Sequence, residues 1–281
     1  MDAYIQQNNI NILTNSFAFL VAEKNKVSKL IDSFEPISLA EMDSVQLMNR
    51  VDTKFLIENS QLPELLTKAL GYYSVLEING KRILPYSTIY FDTDDADMYM
   101  MHHNGRLNRL KIRRRSYVES GISFLEIKIK SNKGRTTKDR IGITKSQFES
   151  HVLEPDEQLF LKEVSFQTSC LKPQLKNSFQ RITLVDKTLT ERVTLDIDLS
   201  FQNISDGNSK SVEGLVIVEM KQEGACCSSF RKCLNELRIK PGSMSKYCLG
   251  MVLVNPDLKN NRFKNKLRKI NKLTENNHGT H

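Results

Sequence analysis

The sequence predicts an α+β fold: an antiparallel β-barrel of about eight strands, with a charged interior and flanking helices. Three observations predict it. Six segments, 107–117, 122–131, 138–144, 179–186, 191–201 and 213–221, alternate apolar and polar residues with the period of two that marks a strand. The polar side of these segments is rich in Lys and Arg, and the other side is Leu, Ile and Val. Helical patterns sit mainly at the two ends of the chain, as in an α+β domain built on one antiparallel sheet.

In chain order, residues 1–34 read as a lead-in, helical or loosely ordered, with Phe17, Leu20 and Val21 on one side. IENSQLPELLTKAL reads as a helix with Pro63 in its first turn and Leu65, Leu66 and Leu70 facing a core. RILPYSTIYFDT reads as a strand. DDADMYMMHHNG reads as a short helix, acidic in its first turn and stopped by Gly105, which makes His102 and His103 helix-end residues rather than metal ligands. NKG at 132–134 reads as a hairpin turn. SSFRKCLNELRIKPG is a helix ended before Pro241, and SMSKYCLGMVLV a further helix with Ser243 near its start. The tail 256–281 is polar and basic. Its Phe263, Leu267 and Ile270 have helical spacing, which favours a docked terminal helix over a polyanion-binding arm or a membrane-surface helix.

Sorting the strands by parity defines the charged face. Arg109, Lys111, Arg113 and Arg115 share one side of RLNRLKIRRRSY, opposite Leu110 and Ile112. Glu126, Lys128 and Lys130 oppose Leu125, Ile127 and Ile129, and Lys138 and Arg140 oppose Ile141 and Ile143. Arg181 and Thr183 oppose Ile182 and Leu184. Arg192, Thr194, Asp196 and Asp198 oppose Val193, Leu195, Ile197 and Leu199, and Glu219 and Lys221 oppose Val216, Val218 and Met220. A single such strand is most often a solvated face. Repeated on six strands, mostly with cations, the array implies a polyanion, because aligned like charges repel and Arg donates in pairs to phosphate. The few acids are either ion-pair partners or ligands of Mg²⁺ or Mn²⁺, which take one or two carboxylates plus substrate phosphates. Spacing favours ion pairing for Glu126 and Asp198 and leaves Glu219 and Asp196 even.

The 281 residues carry 41 Lys and Arg against 33 Asp and Glu, a net +8, which also points to an anionic partner. Five cysteines without metal spacing, adjacent only at Cys226 and Cys227, read as reduced thiols and predict a cytoplasmic protein. No secretory signal or spanning apolar run is visible, so membrane work would need a membrane-protein partner. No Gly-rich phosphate loop is present, so phosphate would be held by side chains. The charged faces carry few aromatics, Tyr117 being the main exception, which argues against nucleic acid.

At this point the chain resembles the catalytic domain of the VTC (vacuolar transporter chaperone) family, polyphosphate polymerases of the triphosphate tunnel metalloenzyme superfamily. The matching segments are RVDTKF (50–55), YFDT (90–93), HHNGRLNRLKIRRRSY (102–117), FLEIKIK (124–130), GRTTKDR (134–140), QRITL (180–184), RVTLDIDLSF (192–201), VEMK (218–221) and SMSKYCLG (243–250), in family order over roughly 35–255. The resemblance implies a tunnel domain over 35–255. It implies substrate contact by Lys54, on the first tunnel strand, and by Arg113, Arg115, Lys128, Lys138, Arg181, Arg192 and Lys246. It also implies a metal on Glu219. Lys54, Arg113, Arg115, Lys128, Lys138 and Lys246 are the candidate catalytic residues. Arg109, Lys111, Lys130, Arg140, Arg181, Arg192 and Lys221 are the candidate substrate-binding residues, and Arg135 extends the basic set. Glu219, Asp196 and Glu126 are the candidate ligands of Mn²⁺ or Mg²⁺. The expected activity is transfer of the terminal phosphoryl group of ATP to a growing polyphosphate chain. The alternatives are hydrolysis of triphosphate or polyphosphate in the same tunnel and non-catalytic polyanion binding.

Two departures stand out. Where the superfamily often has E-x-E-x-K, this chain reads Arg50, Asp52, Lys54, losing one acid and gaining a cation. The phosphate-sensing and membrane domains of eukaryotic VTC subunits find no counterpart here, which leaves coupled export of polyphosphate unsupported.

Overall fold

The structure, a computed structural model, describes residues 24–43, 50–133, 135–162, 168–224, 227–242 and 244–275. The chain is helical over 24–32 (α1), then forms β1 (Glu35–Ile37), α2 (Leu39–Asp43), β2 (Arg50–Glu58), α3 (Leu62–Ala69) and β3 (Tyr73–Leu76). The central part follows as β4 (Leu84–Asp92), α4 (Asp97–His103), β5 (Arg109–Tyr117), β6 (Ile122–Lys130), β7 (Thr136–Ile143), α5 (Lys145–Glu149) and α6 (Pro155–Leu161). The last part is β8 (Lys172–Asp186), β9 (Glu191–Asn203), β10 (Ser209–Val212), β11 (Leu215–Glu223), α7 (Ser229–Glu236), α8 (Lys246–Val254) and α9 (Lys264–Glu275).

Eight strands form one continuous antiparallel ladder in the order β2-β11-β9-β8-β4-β5-β6-β7. The expected strand number is therefore met, but the expected closed barrel is not: the ladder ends at β2 and β7, which do not pair with each other. β1, β3 and β10 are attached at the margins, with β1 parallel to β3. These short strands gave no period-two signal, and β2 was found only through the family resemblance. β8 starts at Lys172 rather than near 179, and β2 claims Ile57 and Glu58 from the expected helix, which opens instead at Leu62 with Pro63 in its first turn.

The outer face of the sheet is apolar, as alternation requires. Ile182, Leu184, Val193, Leu195, Val216 and Val218 are covered by α1, α3 and α7 through Ile31, Leu65, Leu66, Phe230 and Leu234. Ile89, Phe91, Leu110, Ile112, Leu125 and Ile127 are covered by the α5–α6 segment through Phe148, Leu153 and Leu161. Arg114 is the exception on that face. It is 0 % exposed, as is its partner Glu157, to which it donates twice at 2.7 and 2.6 Å. It also donates to the carbonyls of Ser150 and Val152, at 2.5 and 2.6 Å, and lies 5.0 Å from the Phe91 ring centre. The guanidinium thus ties α5 and α6 to the sheet.

The inner face is charged along part of its length only. Leu56, Ile217, Phe179, Tyr86 and Tyr90 continue the charged-side parity of β2, β11, β8 and β4, and they join α8 and Phe263 and Ile270 in a second core. Helix α8 therefore plugs the interior. Gly250 makes that possible: a Cβ there would stand 2.4 Å from Phe201 and 2.6 Å from Leu175. Asp92, at the end of β4, fixes the plug by accepting from the backbone of Thr93, Met98 and Tyr99 and from the Tyr247 hydroxyl. Ser245 caps α8, one position before the helix, and the expected Ser243 lies outside the described residues.

A register shift between Ser178 and Gln180, with φ of 52° at Asp198, corrects the expected alternation of β9. Beyond it Leu199 and Phe201 turn into the interior core, and Asp198 pairs with Lys24 at 3.1 Å near the surface. The lead-in residues Phe17, Leu20 and Val21, and Gly134 of the hairpin turn, lie outside the described residues. The tail helix docks as expected, with Phe263 and Ile270 buried and Leu267 partly so.

Candidate polyanion-binding tunnel

Antiparallel register converts the parity argument into rows. Across β5, β6 and β7, Lys111, Lys128 and Lys138 stand directly side by side, and Arg113, Glu126 and Arg140 form the next row. Directly opposed residues have Cβ atoms about 4.5–5.5 Å apart, so the first row is three ammonium groups with no carboxylate between them. In the second row Glu126 sits between two arginines. It is 1 % exposed and pairs with Arg113 at 2.7 Å and, one row down, with Lys138 at 2.5 Å. Burial would raise its carboxyl, but Arg113, Arg115 and Lys138 outweigh that and hold it down at about 2.

On the opposite wall Asp196 has the same role. It is 2 % exposed, takes two bonds from Arg181 at 2.6 and 2.8 Å, and pairs with Lys246 at the start of α8. Burial opposes its ionisation, yet Arg181 and Lys246 keep it well below the usual carboxylate range. Arg181 lies against the rings of Tyr86 and Phe179, centred 4.9 and 5.2 Å away. Glu219 pairs with Lys54, its direct neighbour on β2. Burial again opposes ionisation, and Lys221 followed by Lys54 depresses the carboxyl strongly.

These walls enclose a cavity of about 710 Å³. Its lining includes Lys54, Lys111, Lys128, Lys138, Lys221 and Lys246, and Arg113, Arg115, Arg140, Arg181 and Arg192. Among the described residues only two carboxylates line it, Asp52 and Glu219. Lys111, Lys221 and Lys246 are each brought down to about 8, first by burial and then by neighbouring cations. Lys111 donates to the Ser245 hydroxyl at 2.8 Å, and Arg140 lies 4.3 Å from the Phe124 ring centre. Fixed, desolvated cations of this kind repel one another and are relieved by a bound anion.

Eleven expected cations thus converge on one cavity. Arg109 and Lys130 do not line it; they pair with each other beyond the Lys111–Lys128 row. Arg135 is exposed in the β6–β7 turn. Glu126 and Asp196, expected as metal ligands, are instead each clamped by two cations and lie behind the wall. Arg50 opens β2 opposite Glu223, and its side chain lies outside the described residues. Asp52, placed by the sequence in the Arg50, Asp52, Lys54 slot of the first tunnel strand but not among the candidate ligands, lines the cavity beside Lys54. The rings of Tyr86, Tyr90 and Phe179 escaped the sequence reading, since apolar residues on a charged face point to a plug. No cluster of three or more metal-ligating side chains occurs among the described residues, and none of their helices is long and apolar enough to cross a membrane.

No curated protein matches the chain in sequence. Among solved structures it is similar to an adenylate cyclase candidate from Bacillus halodurans, at 16 % identity and a TM-score of 0.47 over 70 % of this chain and 94 % of that one. An adenylyl cyclase candidate from Hippeastrum, described as having a dominant triphosphatase activity, is 13 % identical with a TM-score of 0.42, over 75 % and 98 % of the two chains. A protein from Pyrococcus horikoshii is 14 % identical with a TM-score of 0.39, over 72 % and 98 %. The VTC domain matches residues 49–255, the span that holds β2 through α8 and every cation of the cavity wall, and the chain belongs to the VTC domain family.

Proposed function

We propose that the protein is a metal-dependent polyphosphate polymerase that moves the terminal phosphoryl group of ATP to the end of a polyphosphate chain. The observation that carries this reading is the lining of the cavity, six lysines and five arginines against two carboxylates. Such a wall suits a substrate that brings a negative charge with every phosphate unit. Phosphoryl transfer asks the protein mainly for positioning and charge neutralisation. In this reading Arg113, Arg115, Lys128, Lys138, Arg181 and Arg192 grip phosphate oxygens, Arg in pairs of bonds and Lys as point charges. An oxygen at the end of the chain attacks the γ-phosphorus of ATP in line. The new P–O bond forms as the bond to the β–γ bridging oxygen breaks, and ADP leaves with that electron pair. Lys54 and Lys246 neutralise the charge that develops.

The donor set fits a hard divalent ion. Glu219 and Asp52, on adjacent strands, line the cavity and would hold the ion together with substrate phosphates. A bound Mg²⁺ or Mn²⁺ would supply charge neutralisation at the substrate phosphates. Glu126 and Asp196 are the wall's internal counter-charges and hold their arginines and lysines in place.

Hydrolysis of triphosphate is the second reading, favoured by Asp52, a second carboxylate available to orient water beside Glu219. Purified protein given ATP and Mn²⁺ separates the two. The polymerase yields ADP and long-chain polyphosphate on a gel. Orthophosphate without chain growth, from ATP or from tripolyphosphate, moves the assignment to triphosphatase. Tight polyphosphate binding with neither product leaves a non-catalytic binding domain. Glu219→Gln is expected to abolish metal-dependent turnover while tripolyphosphate still raises the melting temperature without metal. Undiminished turnover would remove Glu219 from the site.

A further inference from the structure

The cationic face does not stop where the cavity does. Arg109 and Lys130 are directly paired at the end of β5 and β6, on the same face as the Lys111–Lys128 pair and one step further out. Both are half-buried. The next cations come from α9. One side of that helix is docked through Ile270, with Leu267 and Leu273 partly buried beside it. The other side exposes Lys264, Lys266, Arg268, Lys269 and Lys272, with no acid between Lys264 and Thr274.

The position of α9 follows from its anchors. Arg262, two residues before it, donates from its guanidinium to the Asn104 carbonyl at 2.5 Å and from its backbone to His103 Nε2 at 3.3 Å. Phe263 meets the His102 and His103 rings edge-on, with centres 6.1 and 5.4 Å apart. This is the end of α4, and a short turn leads from it to Arg109. Farther along, Lys269 Nζ lies 3.2 Å from where a Cβ on Gly242 would stand, and the Gly242 N–H donates to the Lys54 carbonyl of β2 at 2.9 Å. The helix therefore reaches from the start of β5 to the edge strand β2, across the Arg109 end of the cavity. Burial first, and then Lys111, Arg109, Lys266 and Lys130, push His102 down to about 3, so cavity, sheet end and helix share one positive field.

We propose that Arg109, Lys130, Lys266 and Lys269 form an exit track that leads an extended inorganic polyphosphate out of the cavity and along α9. The inference rests on the polyphosphate reading of the cavity and adds where the chain goes. Their line continues the cavity's own rows, which a short triphosphate would not need. A lipid surface fits less well, because the apolar side of α9 is already spent on docking and leaves nothing to insert. Single-stranded nucleic acid fits less well, because the track offers no ring for a base to stack on.

The test compares two ligands on the full chain and on Lys266→Gln/Lys269→Gln, two exposed positions where glutamine keeps a good helix former. Binding of tripolyphosphate and of long-chain polyphosphate is measured by calorimetry over a salt series. The expected result is unchanged tripolyphosphate affinity with long-chain affinity on the order of tenfold weaker. The slope of log affinity against log salt should also fall by about one for each cation removed. Lys130→Gln, on the sheet side, should show the same selectivity. Equal long-chain affinity and slope in variant and wild type would overturn the track while leaving the cavity reading intact. A wild type that binds neither ligand would overturn both. A variant that loses only its adsorption to phosphatidylserine vesicles would make α9 a membrane face and would also overturn the track.

Discussion

Lys111 and Lys246 report the state of the cavity most directly. Lys111 is faced by Arg109 and Arg113 on its own strand, Lys128 on β6, and Cys248 and Ser245 from α8. Lys246 is faced by Asp196 on β9, Arg181 on β8 and Lys54 on β2. Both titrate near 8 rather than at the ordinary 10.5. Because the folded value lies below the unfolded one, the ligand-free protein sheds these protons early and gains stability as pH rises from 8 toward 10.5. A bound polyanion does the opposite: it demands the charged forms. Tripolyphosphate affinity is therefore expected to hold from neutral pH up to 8 and to fall above it, with proton uptake on binding in that upper range. Calorimetry in buffers of different ionisation enthalpy checks this, and a flat profile through pH 9 would detach both lysines from the ligand. Single residues were legible in the sequence to the extent that period two applied. Arg113, Arg115, Lys128 and Arg181 were placed correctly by parity, because side chains on a strand alternate without exception between bulges. Parity also puts Arg114 on the Ile112 face, but its full burial was not legible, since the partner that makes it tolerable lies 43 residues away.

At the scale of elements, that same arginine decides how the α5–α6 segment attaches. The ion pair is fully buried, so deleting one member strands a charge in an apolar setting, whereas replacing both can be close to neutral. Arg114→Met is expected to lower unfolding free energy by about 3–5 kcal/mol in denaturant titrations, and Arg114→Met/Glu157→Leu to recover most of the loss. Equal destabilisation in single and double variants would show that the carbonyl bonds to Ser150 and Val152, not the pair, carry the attachment. The longer elements were readable, β5 and β6 within two residues, α8 and the docked side of α9, and so was the short α4, through its acidic first turn and its stop at Gly105. The α5–α6 segment, β1, β3 and β10 were not. They are three to seven residues long, too short for a period to show, and exist because the sheet margin or the outer core holds them. The plug by α8 was also invisible, since nothing local in SMSKYCLG says that a helix will enter the sheet's concave side; the need for Gly250 appears only against Phe201 and Leu175.

For the whole molecule, the charged-inside arrangement was readable because six strands repeated one pattern, and closure was not, because pairing between first and last strands is a property of strand tilt and stagger. The ladder running from β2 round to β7 without joining them makes the protein topologically a cuff rather than a pipe. A pipe admits a thread only by its ends, so a polymer with a bulky stopper on each end is excluded from it for good. A cuff whose two edges are not bonded to each other, β2 being held instead by the Gly242 N–H and β7 left unpaired on its outer side among the described residues, can open there and be laid around the middle of such a thread. Polyphosphate stoppered at both ends with groups wider than the cavity is therefore expected to bind, more slowly than the free chain but to a similar final affinity, in stopped-flow and equilibrium measurements. Complete exclusion of the stoppered chain would mean that the side chains of β2 and β7 seal the edge as firmly as hydrogen bonds would.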